Sequence, residues 1–174
     1  MPSRSITDLL EAGEMLLMDG GTGSEIQRRG AEVLIGATSE KGLQAWSATA
    51  NVDFADVVQQ VHQDYLRCGA DVLISNNFWT IPSRLETIGL SDSWEMYARA
   101  AAQNATKARN SMNPEAYVAG GIAAPSLQYL DKGTRPDVEI MGQKEYKKEF
   151  TDHANVLADE GVDLILSEYI GFII

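Results

Sequence analysis

Short, continuous apolar runs alternate along this chain with segments whose apolar positions recur at helical spacing. The first run is Met15–Met18, and Thr22 to Gly30 then reads as a helix that ends on a basic pair and a C-terminal glycine. After a mixed loop containing Trp46, "DFADVVQQVHQDYLRCG" sets Phe54, Val57, Val58, Val61 and Tyr65 on one helical face, with Asp53 as N-cap and Gly69 closing it. "ADVLISNN" is a continuous apolar strand of the kind buried on both faces of a parallel sheet. Pro82 opens a short helical turn, and "SDSWEMYARAAAQNATKARN" carries an alanine face of Ala98, Ala101, Ala105 and Ala108 that allows close packing on a sheet. "YVAGGIA" is the third strand. Ala124 to Met141, with Pro125, Gly133 and Pro136, reads as a long loop, which in a compact domain is usually functional or mobile. A helix from about Gln143 to Glu160, closed by Gly161, leads into the fourth strand, "VDLILSEYI".

The order is βαβαβαβ without a hairpin signal, so the fold class is α/β with a parallel sheet and right-handed crossovers. An internal echo narrows it further. "CGADVLISN" (Cys68 to Asn76) matches "EGVDLILSE" (Glu160 to Glu168): a helix ends at glycine, and the strand that follows carries an early Asp and a late Ser. Such repetition suits a βα barrel, in which similar units succeed one another around an axis.

Polar residues end three of the strands: Asp19 after the first, Ser75, Asn76 and Asn77 after the second, and Glu168 within the fourth; the third ends on Gly120 and Gly121. Ligands of parallel α/β folds bind at the C-terminal ends of strands, so these groups would share one mouth. The structural alternative is that Asp19 caps a helix, Asn76 and Asn77 satisfy a turn, and Glu168 is a solvated strand end. The loop after the first strand, "MDGGTGSEIQRRG", resembles a phosphate cradle but fails both nucleotide motifs. Ile26 stands where the dinucleotide fingerprint needs Gly or Ala, and no Gly-Lys-Ser/Thr follows. Asp19 would also repel a phosphate, so the loop suits a cationic or polar ligand group.

The bulk properties bound the partners. A chain of 174 residues supports one domain with a sizeable core. Its net charge of −11 and pI near 4.5 argue against nucleic acid or an anionic membrane as partner. The opening residues lack a signal-peptide apolar core and no run approaches membrane-spanning length, which gives a cytoplasmic expectation. The single cysteine, Cys68, excludes an internal disulfide and any Cys-Cys or Cys-His zinc site of known spacing within these residues. Cys68, in a last helical turn, is expected to be a small buried hydrophobe. His62 and His153 lie on outer helices, away from the strand ends, and are expected to pack there.

Taken in order, "MDGGTGSEIQRRG", "AWSATA", "VHQDYLRCGADVLISNNF" and "ADEGVDLILSEY" resemble the N-terminal part of the homocysteine S-methyltransferase family, the zinc-dependent thiol methyltransferases. The resemblance implies a (β/α)8 TIM barrel of which residues 1–174 supply about the first half. It also implies transfer of a methyl group from an onium-type donor to a zinc-bound homocysteine thiolate, giving methionine. Zinc would serve by lowering the thiol's pKa. Carried over by position, Asp19 and Glu168 would hold the homocysteine ammonium group, Gly20 and Gly21 would present backbone to it, and Ser75 with Asn76 would line the pocket. The family's zinc is held by three cysteines after later strands, and none of that sequence is present here, so the chain alone is expected to be inactive and to supply no metal ligand. Two other readings stay open: a half-barrel that homo-oligomerises through its open edges as a non-catalytic amino-acid-binding module, and another barrel enzyme that shares the strand-end carboxylates but uses a different cofactor.

Overall fold

The structure, a computed structural model, describes residues 2–39, 42–123 and 143–168. Its helices are α1 (Ile6–Glu11), α2 (Thr22–Arg28), α3 (Ala50–Asp53), α4 (Ala55–Arg67), α5 (Pro82–Glu86), α6 (Trp94–Met112) and α7 (Gln143–Asp159), with 3-10 turns at Trp46–Ala48 and Ser91–Ser93. The strands β1 (Val72–Ile74), β2 (Tyr117–Ala123) and β3 (Leu164–Glu168) form one parallel sheet in that order. Val72 pairs with Tyr117, and Ala119 with Leu164. The long loop expected from Ala124 to Met141 and the last residues expected of the fourth strand lie outside the described residues.

The expected first strand is shorter than its apolar run. It reaches the sheet as one parallel bridge, Met18 to Val72, held by Asp71 N–H to Leu17 C=O at 2.8 Å and Asp19 N–H to Val72 C=O at 3.0 Å. The next ladder position is taken by a side chain: Ile74 N–H donates to the Asp19 carboxylate at 3.0 Å. A carboxylate standing in for a backbone carbonyl ends the strand and fixes Asp19 at the same time.

The echo between the two helix–glycine–strand units has a physical counterpart. Gly69 and Gly161 both turn the chain with positive φ, +94° and +74°, a conformation glycine adopts without a Cβ clash. The aspartates that follow act alike. Asp71 accepts the Leu17 N–H at 2.8 Å, and Asp163 accepts the Val118 N–H at 2.7 Å, so each ties its strand to the preceding neighbour in the sheet. Asp163 is paired with the buried Arg109 at 2.8 Å.

The sheet is covered on both faces. Outside, Leu73 packs with Leu66, Ala108 and Ala116, while Ile122 packs with Ala102 and Leu157. The alanine face of α6 is completely buried at Ala98, Ala101, Ala105 and Ala108, as its spacing requires. Each fully buried leucine, such as Leu73 or Leu157, contributes roughly 2 kcal/mol by leaving water. On the inner face, Val72, Tyr117 and Ala119 meet Leu9 of α1, a helix the sequence pattern did not announce. Ser5 caps α1 by accepting the Thr7 N–H at 3.2 Å.

Three local expectations change. Asp53 ends α3, and Phe54 occupies the N-cap of α4, because a short helical turn precedes α4 where a loop was expected. Cys68 is exposed at the C-cap of α4, so its thiol is not part of the core. His62 and His153 are both completely buried, but His62 does not lie apart from the strand ends: its Nδ1 is 3.8 Å from Asp19 Oδ2.

Candidate functional site

A cavity of about 470 Å³ opens at the C-terminal ends of the strands. Asp19, Gly20, Gly21, Ser75, Asn76 and Glu168, the six residues expected at the site, all line it. Thr22, Gly23, Ser24, Leu43, Trp46, Ser47, Ile74, Phe78 and Trp79 complete the wall.

Asp19 is an enclosed carboxylate of this lining. Its side chain has no solvent exposure; Oδ2 accepts from Ile74 N–H, and Oδ1 is buried without a hydrogen-bond partner among the described residues. It does not cap α2, whose N-cap is Gly21 with no side-chain bond. Glu168 reaches inward from the end of β3 over Gly121, where an added Cβ would lie 2.6 Å from Glu168 Oε1. Burial pushes the Glu168 carboxyl above its usual range, and the negative charge of Asp19 pushes it the same way. Two carboxylates thus line one cavity, and the repulsion felt at Glu168 is one that a bound cation would relieve.

The glycine loop is shaped by what lies against it. Gly20 abuts Tyr65 of α4, whose hydroxyl would be 3.1 Å from a Cβ there. At Gly23 an added Cβ would be 2.2 Å from Trp46 Nε1 and 2.9 Å from Ser47 Oγ. Trp46 holds φ at +48°, a left-handed conformation rare for a bulky residue, and packs its ring against the core formed by Ile26, Val33 and Val58.

Ser75 and Asn76 line the wall, but their polar atoms have protein partners. Ser75 Oγ donates to Asn77, which also donates to Thr80 Oγ1 at 2.9 Å and to Ala98 C=O at 3.0 Å. Asn76 accepts from Ser47 Oγ at 2.7 Å and donates to Ser47 C=O and to Asn51 Oδ1, both at 3.0 Å. This buried network clamps the Trp46–Ala48 turn onto the end of β1. For Asn77 the structural alternative applies. Trp46 and Ser47 were legible as part of a family-like segment, yet only their contact with Gly23 and Asn76 shows that they build the wall.

The profile of the homocysteine S-methyltransferase family matches residues 16–173. The chain belongs to the homocysteine S-methyltransferase family. It is similar to betaine-homocysteine S-methyltransferase 1 of Danio rerio, 30% identical over 169 residues that cover 95% of this chain and 37% of that protein. It is also similar to S-methylmethionine-homocysteine S-methyltransferase BHMT2 of Rattus norvegicus, 30% identical over 94% of this chain and 38% of the relative. Among solved structures, the metallated form of the homocysteine methyltransferase MmuM from Escherichia coli superposes with a TM-score of 0.71 at 25% identity, covering 92% of this chain and 56% of that one. The chain therefore spans less than half the length of the two betaine- and S-methylmethionine-homocysteine S-methyltransferases and 56% of the MmuM chain, and its parallel βα units have the fold of half a βα barrel.

The donor set for a zinc ion of the kind the family resemblance implies is not gathered among the described residues. Cys68, the one thiol of the sequence, sits where α4 ends and β1 begins, at the pole opposite the strand-end carboxylates. Among the described residues no three His, Cys, Asp or Glu side chains are grouped to hold a metal ion. Nor is any described helix long and apolar enough to cross a membrane.

Proposed function

We propose that residues 1–174 form the N-terminal half of a homocysteine S-methyltransferase barrel and that their role is to bind the amino-acid end of homocysteine. The observation that supports this is the convergence of Asp19 and Glu168, from two different strands, on one cavity floored by Gly20 and Gly21. An ammonium group suits both carboxylates: it would give the buried Asp19 Oδ1 the donor it lacks among the described residues and offset the repulsion felt at Glu168. The glycines leave backbone N–H and C=O groups accessible to the rest of the amino acid.

The aromatic side of the cavity suits the second substrate. Trp46, Phe78 and Trp79 line it, with the Phe78 and Trp79 ring centroids 5.3 Å apart. Aromatic faces attract onium groups through their quadrupoles; the Trp79 ring already carries the Arg84 guanidinium at 4.1 Å, while the Trp46 and Phe78 rings suit a positively charged methyl donor. Zinc would be held by side chains other than those of this chain, and methyl transfer is not assigned to these residues alone. The acidic surface and the small-molecule site fit a cytoplasmic enzyme rather than a nucleic-acid or membrane binder.

Calorimetric titration of the chain with L-homocysteine tests the reading. Asp19→Asn and Glu168→Gln should each weaken binding about tenfold or more, the scale of a lost charge-assisted hydrogen bond. Unchanged affinity in both variants would exclude the carboxylates as the ammonium site.

A further inference from the structure

His62 projects from α4 toward the end of the first strand and is completely buried. Neither of its ring nitrogens has a hydrogen-bond partner among the described residues, although Nδ1 stands 3.8 Å from Asp19 Oδ2. Asp19 Oδ1 is likewise buried and unpartnered. Unpaired buried polar atoms are costly, so three of them on two neighbouring side chains call for an explanation.

We propose that His62 is the positioning residue for Asp19: with its proton on Nδ1, it steadies the carboxylate so that Oδ1 faces the bound amino group. The proposal rests on reading Asp19 as part of the ammonium site. A neutral imidazole has one donor and one acceptor nitrogen. With the proton on Nδ1, the donor faces a carboxylate oxygen and only an acceptor lone pair is left unmatched at Nε2. With the proton on Nε2, a buried N–H has no acceptor and a lone pair points at the carboxylate. The first tautomer is therefore selected by the surroundings. Closing 3.8 Å to hydrogen-bond distance takes less than 1 Å of ring or carboxylate movement, a tightening expected when ligand binds. The same helix places Tyr65 against Gly20, so α4 sets the position of both the carboxylate and the loop that follows it.

Two measurements on the full chain decide the matter. The first is nitrogen-detected NMR of the His62 ring. The Nδ1–H tautomer is expected, with its signals shifted in Asp19→Asn; an Nε2–H tautomer would overturn the proposal whether or not homocysteine binds. The second is titration with L-homocysteine. His62→Leu should weaken binding about tenfold, while His62→Asn, whose amide N–H lies close to the Nδ1 position, should stay within about threefold of the parent. Parent-like binding by His62→Leu would overturn the proposal, as would equal losses in both variants at matched melting temperatures. If the parent chain itself fails to bind homocysteine, the amino-acid reading falls, and the tautomer still decides the His62 contact.

Discussion

Replacing Gly23 with alanine sets two effects of opposite sign against each other. Gly23 is the second residue of α2 and needs no left-handed φ, so helix propensity alone favours alanine by up to ~1 kcal/mol. The space does not allow it. The new methyl group would sit 2.2 Å from Trp46 Nε1, 3.0 Å from Trp46 Cε2 and 2.9 Å from Ser47 Oγ. Two of those atoms belong to a rigid ring, and the third is hydrogen-bonded to Asn76 at 2.7 Å, so none yields as a flexible side-chain tip would. Overpacking of this kind costs ~1–3 kcal/mol, and contact with a ring puts it at the upper end. The net expectation is a loss of about 2 kcal/mol, read from urea unfolding followed by circular dichroism with the slope m unchanged. In a Trp46→Ala background only the Ser47 Oγ contact remains, and Gly23→Ala should cost at least about 1 kcal/mol less than in the parent. Equal costs in the two backgrounds, or a Gly23→Ala chain as stable as the parent, would refute the packing argument.

Other consequences follow from the same geometry. Gly121→Ala should displace the Glu168 carboxylate, whose Oε1 would lie 2.6 Å from the new Cβ, and weaken L-homocysteine binding more than it lowers the melting temperature. Because burial and Asp19 raise the Glu168 pKa in the folded chain, its ionisation opposes folding as pH rises past the ordinary value of 4.5; Glu168→Gln should therefore gain stability relative to the parent at neutral pH but not in acid, as measured by urea titration at several pH values. His153 has the opposite sign. Burial lowers its pKa from 6.5 to about 4, so stability present above 6.5 is lost as pH falls through that window, by roughly 3 kcal/mol, and His153→Gln should flatten the loss while keeping a hydrogen-bonding side chain beside the Thr80 hydroxyl.

The elements with strong periodicity were legible in the sequence. The alanine face of α6 and the glycines that close α4 and α7 follow from spacing and from the need for a positive φ, and the repeated strand aspartates proved to be matching anchors of the sheet. What pattern could not show is what depends on contacts distant in sequence. α1 has only six residues, and its burial depends on Val72, Tyr117 and Ala119 far along the chain. The first strand is cut short because Asp19 uses its side chain, not its carbonyl, toward Ile74. His62 looks like one more helix-packing residue until the fold sets it beside Asp19, and the left-handed Trp46 has no signature except its proximity to Gly23. The six expected site residues all reach one cavity, yet the amide of Asn76 is spent on holding the Trp46–Ala48 turn rather than left free for a ligand.

The central claim is that the two carboxylates receive an amine. It is tested most directly by calorimetric comparison of L-homocysteine with 4-mercaptobutanoic acid, which keeps the thiol and carboxyl groups and lacks the amino group. The parent chain is expected to bind L-homocysteine at least about tenfold more tightly, and Asp19→Asn to remove most of the difference. Equal binding of the two thiols by the parent chain would contradict it.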